Sequence, residues 1–464
     1  MELRFLGAAR SVTGSCHQLT VGGRTVLLDC GQIQGTRLDE ELNRVPLPVG
    51  RVDAVVLSHA HIDHSGRLPL LYKQGFKGPI YTHRATEQLC AIMLRDAAYL
   101  HEKDAEWENR KRRRQGLKSI EPLYNREDAR AVLGQFVGLD YDSPRQILPG
   151  VEITLRNAGH ILGAAIVELT LREGNRNFKL VFSGDLGYAA APLMQPPTKV
   201  ERADLVLMES TYGNRDHRPF DATIDELRDI FRSAADGGGN ILIPAFAVGR
   251  TQDLLHLMAK HYDDFGLDRW DVFLDSPMAI ETTQLYWRHA ELQRAPLFGD
   301  GEPSLNVTAS ESTEDSMRIN AIESGAVVIA GSGMCTGGRI VHHLKHNLWR
   351  PECHVVMIGF QAEGTLGRRL VDGADEVRIL GETIKVAAKV HTVGGLSAHA
   401  DQTGLKAWYG GFKGKPPVCL VHGEPGAQHS LAAALRSAYG CEVRIPARGE
   451  VMDLLEPARG EARP

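Results

Sequence analysis

The segment His59-Ala60-His61-Ile62-Asp63-His64, reading HAHIDH, decides the fold and locates its chemistry. It sets four metal-competent side chains, His59, His61, Asp63 and His64, directly after the apolar run DAVVLS of residues 53–58. Such a run reads as a buried strand, so these groups stand at its carboxyl end, where α/β sheets gather ligands. In an extended segment positions 59, 61 and 63 alternate onto one side, and a turn toward a following helix swings His64 inward. The spacing allows His59 and His61 to hold one ion, and Asp63 with His64 a second. Imidazole and carboxylate donors without thiolate suit zinc or another first-row divalent metal. A lone histidine is ordinarily a surface or satisfied core residue, but four such groups in one strand exit exceed that explanation.

Two later strand exits complete the arrangement. NAGHIL places His160 after VEITLRN, and FSGD places Asp185 after FKLVFSG. Alone, a strand-end Asp is a turn or cap residue. Beside HAHIDH, His160 supplies a third nitrogen for the first ion, and the Asp185 carboxylate can bridge both. Two dications about 3.5–4 Å apart repel and need shared negative charge. The expected second bridge is a hydroxide, formed near neutral pH because the metals acidify bound water.

The chain around this motif has 464 residues, too many for one ordinary domain. Hydrophobic residues make up 43% and charged residues 24%, which excludes disorder as the main state. The longest apolar stretch, ILIPAFAV at 241–248, is far short of the roughly 20 residues a membrane helix needs. The start MELRFLGAAR lacks the pattern of a secretory signal. Seven cysteines, never in a CxxC pair, point to a reducing cytoplasm and away from thiolate zinc. A net charge of −5 excludes a broadly basic binder, so any nucleic-acid contact must be local.

Strand-rich segments LRFLGAA, SCHQLTV and TVLLDCG precede the motif, and a helix follows at SGRLPLLYKQG. Residues 85–114 read as a helix ending in KRRR, whose simplest reading is a solvated face, with a substrate-tracking patch as the alternative. From about 210 to 390 helices alternate with the strands GNILIPAFA, WDVFLDSP, GAVVIAGSG and HVVMIGF, the rhythm of a parallel α/β layer. KVHTVGGLSAHAD and PVCLVHGE then return to the histidine-bearing pattern, and the Pro/Gly/charge-rich tail 456–464 reads as disordered.

HAHIDH matches the HxHxDH signature of the metallo-β-lactamase superfamily, which this chain resembles. Asp29, ending the strand TVLLD, matches that family's upstream aspartate, which orients ligands from behind. Glu209 in LVLMEST, His399 in GLSAHAD and His422 in CLVHGE resemble motifs A, B and C of the β-CASP branch, whose members process nucleic acids. IPAFAVGRTQ, DSPMA and GSGMCTGGR also look like that branch. The resemblance spans about residues 1–445 and is nearest to RNA-processing members; DNA-repair members usually carry valine at motif C.

The resemblance implies that His422 completes the second metal site with Asp63, His64 and Asp185. It implies that His399 stands near the metals without binding them, oriented by Glu209 and kept protonatable near neutral pH. His399 then serves as general acid to the departing oxygen. The glycine-rich turn GSGMCTGGR, opening a helix after the strand AVVIA, offers free N–H groups to a phosphate. Ser332, Gly333, Thr336 and Arg339 in it, with Arg250, are the expected substrate contacts; a plain tight turn is the bland reading. Cys335 reads as a packed loop thiol rather than a nucleophile. His342, His343 and His346 read as a solvated or interface helix face rather than a second metal cluster.

The expected fold is α/β: a metallo-β-lactamase αββα sandwich from 1–209 and 391–455, with a β-CASP domain inserted at 210–390 and the active site in the cleft where they meet. The expected function is two-metal RNA phosphodiester hydrolysis, endonucleolytic, using two zinc ions or manganese and a metal-bridging hydroxide. The expected partner is single-stranded RNA, without a membrane; a homodimer is an option. Because the chain ends soon after motif C, tetrameric and processive exonuclease arrangements have less support. A small-ester or thioester hydrolase and a non-catalytic RNA-binding scaffold are the alternatives, and the filled motif positions argue against both.

Overall fold

Alternation of buried apolar and outward polar residues builds two facing sheets. The structure, a computed structural model, describes residues 1–35, 41–47, 50–297, 305–359 and 361–455; the expected disordered tail lies outside them. One seven-stranded sheet runs in the order Val451–Asp453, Glu2–Gly7, Cys16–Val21, Arg24–Leu28, Ala54–Val56, Ile80–His83 and Phe136–Leu139. The other seven-stranded sheet runs Val443–Arg444, Val418–Leu420, Leu205–Met208, Arg176–Phe182, Ala165–Glu173, Val151–Asn157 and Arg145–Leu148. Leu3, Phe5, Leu19 and Leu28 from the first pack with Ile153, Val167, Leu169, Phe182 and Leu207 from the second in one buried core. Removing one such side chain, as in Phe182→Ala, costs about 3–5 kcal/mol.

These sheets belong to a first compact unit of residues 1–189, 196–216 and 399–464. Segment 210–216 stays with it because Ser210 Oγ donates to the Val421 carbonyl at 2.7 Å, and Gln402 Nε2 donates to the Gly213 carbonyl at 2.7 Å.

A second unit holds residues 190–195 and 217–398. Its six-stranded sheet runs Val307–Ala309, Asp271–Asp275, Ala326–Ala330, Ile241–Pro244, His354–Met357 and Lys389–Thr392. Every neighbouring pair is parallel, and the fully buried strands Ile241–Pro244 and Ala326–Ala330 are apolar along their length. Residues 391–398 were expected with the histidine pattern of the first domain. They lie instead in the second unit, because Lys389–Thr392 hydrogen-bonds beside His354–Met357.

Two close approaches position the loops of the first unit that carry the expected ligands. A Cβ on Gly31 would lie 1.6 Å from the Asp63 carbonyl oxygen, so the loop after Asp29 presses directly onto the HAHIDH turn. Backbone bonds lock that contact: Cys30 N–H donates to the His64 carbonyl and Gln32 N–H to the Ile62 carbonyl. A Cβ on Gly187 would lie 1.9 Å from the Gly159 carbonyl oxygen, which brings the loops bearing Asp185 and His160 side by side. Asp29 (φ 61°) and His422 (φ 49°) both occupy the left-handed region, a conformation non-glycine residues hold where function demands it.

Candidate metal centre

The strand Ala54–Val56 ends in a short loop, and His61 stands immediately before the helix Ile62–Ser65. His59 and His64 are buried inward at 0% and 1% exposure, at the carboxyl end of the sheet. His160 leaves the strand Val151–Asn157, and Asp185 leaves Arg176–Phe182. His422 follows Val418–Leu420.

Among the described residues the candidate ligands fall into three overlapping groups, one of them Asp185, Glu209 and His422. His59, His61, His160 and Asp185 each offer an atom within 4.8 Å of the others, and so do Asp63, His64 and His422. Asp185 stands between these last two groups. Its Oδ2 lies 3.5 Å from His59 Nε2, 3.3 Å from His64 Nε2 and 3.6 Å from His160 Nε2, and its Oδ1 lies 3.5 Å from His422 Nδ1.

These residues suit divalent cations. Ring nitrogens approach one another closely: His61 Nδ1 lies 3.1 Å from both His59 Nε2 and His160 Nε2, and His64 Nε2 lies 3.0 Å from His422 Nε2. Such converging lone pairs are satisfied by a shared cation. Burial, with help from neighbouring histidines, drives His59 well below its ordinary pKa. Burial likewise takes His61 down to about 4, so both rings are neutral donors at pH 7. Burial pushes the Asp63 carboxyl upward, but His64 and His422 outweigh it and hold the group well below the usual carboxylate range. His64 moves the other way: burial lowers its pKa, but Asp185, Asp29 and Asp63 raise it well above the ordinary value. A bound cation would replace that proton.

Residues behind the ligands fix their orientation. Asp29 Oδ2 lies 2.7 Å from His64 Nδ1, which turns the other ring nitrogen toward His422 and Asp185. Asp29 is itself held by the Ser58 backbone N–H at 2.8 Å, the Ser58 hydroxyl at 3.0 Å and the Ser15 hydroxyl at 2.9 Å. Thr211 Oγ1 lies 3.0 Å from His422 Nδ1. Ser15, Ser58 and Thr211 were not singled out from sequence. Ser58 immediately precedes His59, and Thr211 follows Glu209 by two positions, so adjacency was the available signal.

His399 stands one-fifth exposed beside the cluster, its ring centroid 4.5 Å from that of His160. Its Nδ1 lies 3.2 Å from Oε1 of fully buried Glu209 and 3.9 Å from Asp185 Oδ2. Glu209 is anchored by the Leu186 N–H at 2.6 Å and the Thr211 N–H at 3.3 Å. Burial pulls the His399 pKa down, but Glu209 and Asp185 overcome it and raise it to about 9. Glu209 thus favours the imidazolium form of His399.

The substrate contacts expected in the second unit have defined local surroundings. Ser332 Oγ lies 3.2 Å from Thr336 Oγ1 and accepts from the Thr336 N–H at 3.0 Å. Gly333 packs against the Phe246 ring, and Gly338 precedes the helix Arg339–Asn347. The Arg339 guanidinium is turned inward: it bonds Asp275 at 2.7 Å and the Ser310 and Glu311 carbonyls at 2.7 and 2.9 Å. Arg250 lies 3.5 Å from Asp253. Cys335 is buried, and burial raises its thiol to about 12. The solvated-face reading of the helix histidines fails at His343, which is fully buried with Nε2 2.6 Å from Asp275 Oδ2 and Nδ1 2.8 Å from Asn320 Oδ1.

This ligand arrangement on facing sheets agrees with the comparisons. Residues 12–245 match the family model of the metallo-beta-lactamase superfamily, 251–370 that of the Beta-Casp domain, and 383–446 that of the Zn-dependent metallo-hydrolase RNA specificity domain. The chain belongs to the metallo-β-lactamase superfamily, in its β-CASP branch. Ribonuclease TTHA0252 of Thermus thermophilus is 40% identical over 97% of this chain and 99% of its own length. Transcription termination factor FttA of Pyrococcus abyssi is 32% identical over 96% of this chain and 70% of its own length. A crystal structure titled as a protein of unknown function from Enterococcus faecalis V583 has a TM-score of 0.55 at 15% identity. It covers 97% of this chain and 99% of its own, a likeness of fold.

Proposed function

We propose that the protein is a metal-dependent ribonuclease that hydrolyses RNA phosphodiester bonds, cutting internally. The observation carrying this reading is Asp185, which touches both ligand groups and lies beside the Glu209–His399 pair. The 40% identity to a protein named a ribonuclease, and the match to an RNA specificity domain, favour RNA over a small ester.

His59, His61, His160 and Asp185 would hold one divalent ion, and Asp63, His64, His422 and Asp185 a second. Zinc fits the nitrogen-rich donor set, and manganese is the alternative. When bound, such ions supply Lewis acidity toward a phosphoryl oxygen and an acidified water. The protein's own groups do the rest. Asp29 holds His64 in one tautomer. Glu209 holds the His399 ring and its proton. His399 delivers that proton to the leaving oxygen, which would otherwise depart as a poor alkoxide.

The test is incubation of end-labelled single-stranded and structured RNA, with matching DNA, followed by sizing of the products. Internal fragments from RNA are expected from the wild type. Asp185→Ala or His422→Ala should remove cleavage while circular dichroism stays native. Full activity in either variant refutes the assignment.

A further inference from the structure

The helix Arg84–Arg114 carries a surface that the metal centre does not use. At 100° per residue, Tyr99, Lys103, Trp107, Arg110, Lys111 and Arg114 share an arc of about 120°. All of them are exposed, Trp107 at 65% and Tyr99 at 44%. Aromatic and cation alternate along it: the Lys103 ammonium lies 5.7 Å from the Tyr99 ring centroid, and that of Lys111 lies 6.0 Å from the Trp107 centroid. Glu102, Asp104 and Glu108 fall outside the arc, and Glu106 at its edge pairs with Lys103 at 2.9 Å and Arg110 at 4.0 Å.

A helix dipole accounts for cations in the last turn. It does not account for two large rings left in water. Exposed rings interleaved with cations are the composition that binds single-stranded nucleic acid, the rings stacking on bases and the cations following phosphates. Duplexes keep their bases stacked inside and cannot use the rings. The other end of the helix touches the His160 loop, where Thr86 Oγ1 donates to the Gly163 carbonyl at 2.7 Å. Trp107 therefore lies about 32 Å along the helix axis from that contact. The face is remote from the bond being cut.

We infer that this face is a remote binding site for a single-stranded stretch of the RNA substrate, held by base stacking on Tyr99 and Trp107 and by phosphate contacts to the flanking cations. The inference rests on the ribonuclease reading above. It reconciles RNA binding with the net charge of −5, because Lys103, Arg110, Lys111 and Arg114 share one face of this helix.

The experiment uses the full chain in an Asp185→Ala background, with fluorescence anisotropy on a labelled oligoribonucleotide of about 20 nucleotides and on the blunt duplex of the same sequence. Trp107→Ala should weaken the single strand about tenfold and the duplex hardly at all, as expected for one lost stacking partner. Trp107→Phe should restore most of the loss. Replacing Lys103, Arg110, Lys111 and Arg114 together by Gln should lower the slope of log affinity against log salt by about 3. In the active enzyme, Trp107→Ala should reduce the ratio of kcat/KM for long over short RNA about tenfold.

Unchanged affinity, or equal weakening of single strand and duplex, overturns the inference. So does a wild-type dimer that Trp107→Ala makes monomeric with RNA affinity unchanged, because the face would then join two copies of the chain. A wild type that cuts no RNA removes the ribonuclease reading itself, a result distinct from any of these.

Discussion

Glu209→Gln tests the proton-delivery step. Glu209 Oε1 is 3.2 Å from His399 Nδ1, and the pair sits where Glu209 is fully buried. At an effective dielectric of 20, a unit charge at that separation contributes about 5 kcal/mol, more than enough to supply the whole elevation of the imidazole pKa. That elevation takes His399 to about 9. Cations on Asp185 would cancel that residue's share, leaving Glu209 in control. Gln keeps the shape but removes the charge, so burial is left to hold the pKa below the ordinary value of about 6.5. At pH 8 the protonated fraction then falls at least about thirtyfold, and the loss shrinks as the pH is lowered toward 6. The assay is kcat for RNA between pH 5.5 and 10. The wild type should lose activity on the alkaline side, where the Glu209-supported imidazolium gives up its proton, and the variant should lose it at lower pH. A nitrophenyl phosphodiester, whose leaving oxygen needs no proton, should show no such displacement. The stabilising effect of the pair has the same sign: it is complete below the unfolded histidine pKa and lost as pH rises through about 9. Equal loss of RNA cleavage at pH 6 and pH 8, or an unmoved alkaline limb, would refute the reasoning.

Other expectations follow from the same geometry. On the proposed two-ion reading, Asp29→Ala releases His64 and should weaken one ion by about 10- to 100-fold, read as metal content after dialysis against a competing chelator; loss of both ions together would contradict separate sites. Asp275→Ala leaves His343 and Arg339 without their buried carboxylate and should cost about 3–5 kcal/mol in urea denaturation. Cys335→Ala should cleave RNA at the wild-type rate, because a buried thiol raised to about 12 is not a nucleophile at neutral pH; a large loss of kcat would reopen that role.

Legibility in the sequence followed distance along the chain. HAHIDH is local, so its ligands could be read from strand and turn spacing alone. His160 and Asp185 were legible as strand exits, because a strand end projects its loop toward a predictable sheet edge. His422, His399 and Glu209 needed the resemblance, since nothing in spacing joins position 209 to 399. Ser15 and Thr211 matter through bonds to Asp29 and His422 that only folding creates. The second unit shows the same limit. VHHLKH gives an amphipathic helix, but whether His343 faces water depends on Asp275, which lies on another strand. KVHTV resembled its histidine-bearing neighbours in composition, yet backbone pairing put it in the other sheet. Composition carries no register, and register decided that segment.

The position of His422 also bears on how the protein is made. His59 through Asp185 emerge early in synthesis, but His399 and His422 follow the entire second unit. At ordinary elongation rates, roughly 10–50 s separate the translation of Asp185 from that of His422. During that interval the nascent chain lacks His422 from the second ligand group and lacks His399. On the roles proposed for His399 and His422, a ribonuclease would be assembled on its own messenger in an incomplete form, its centre closing only when the ribosome is nearly done.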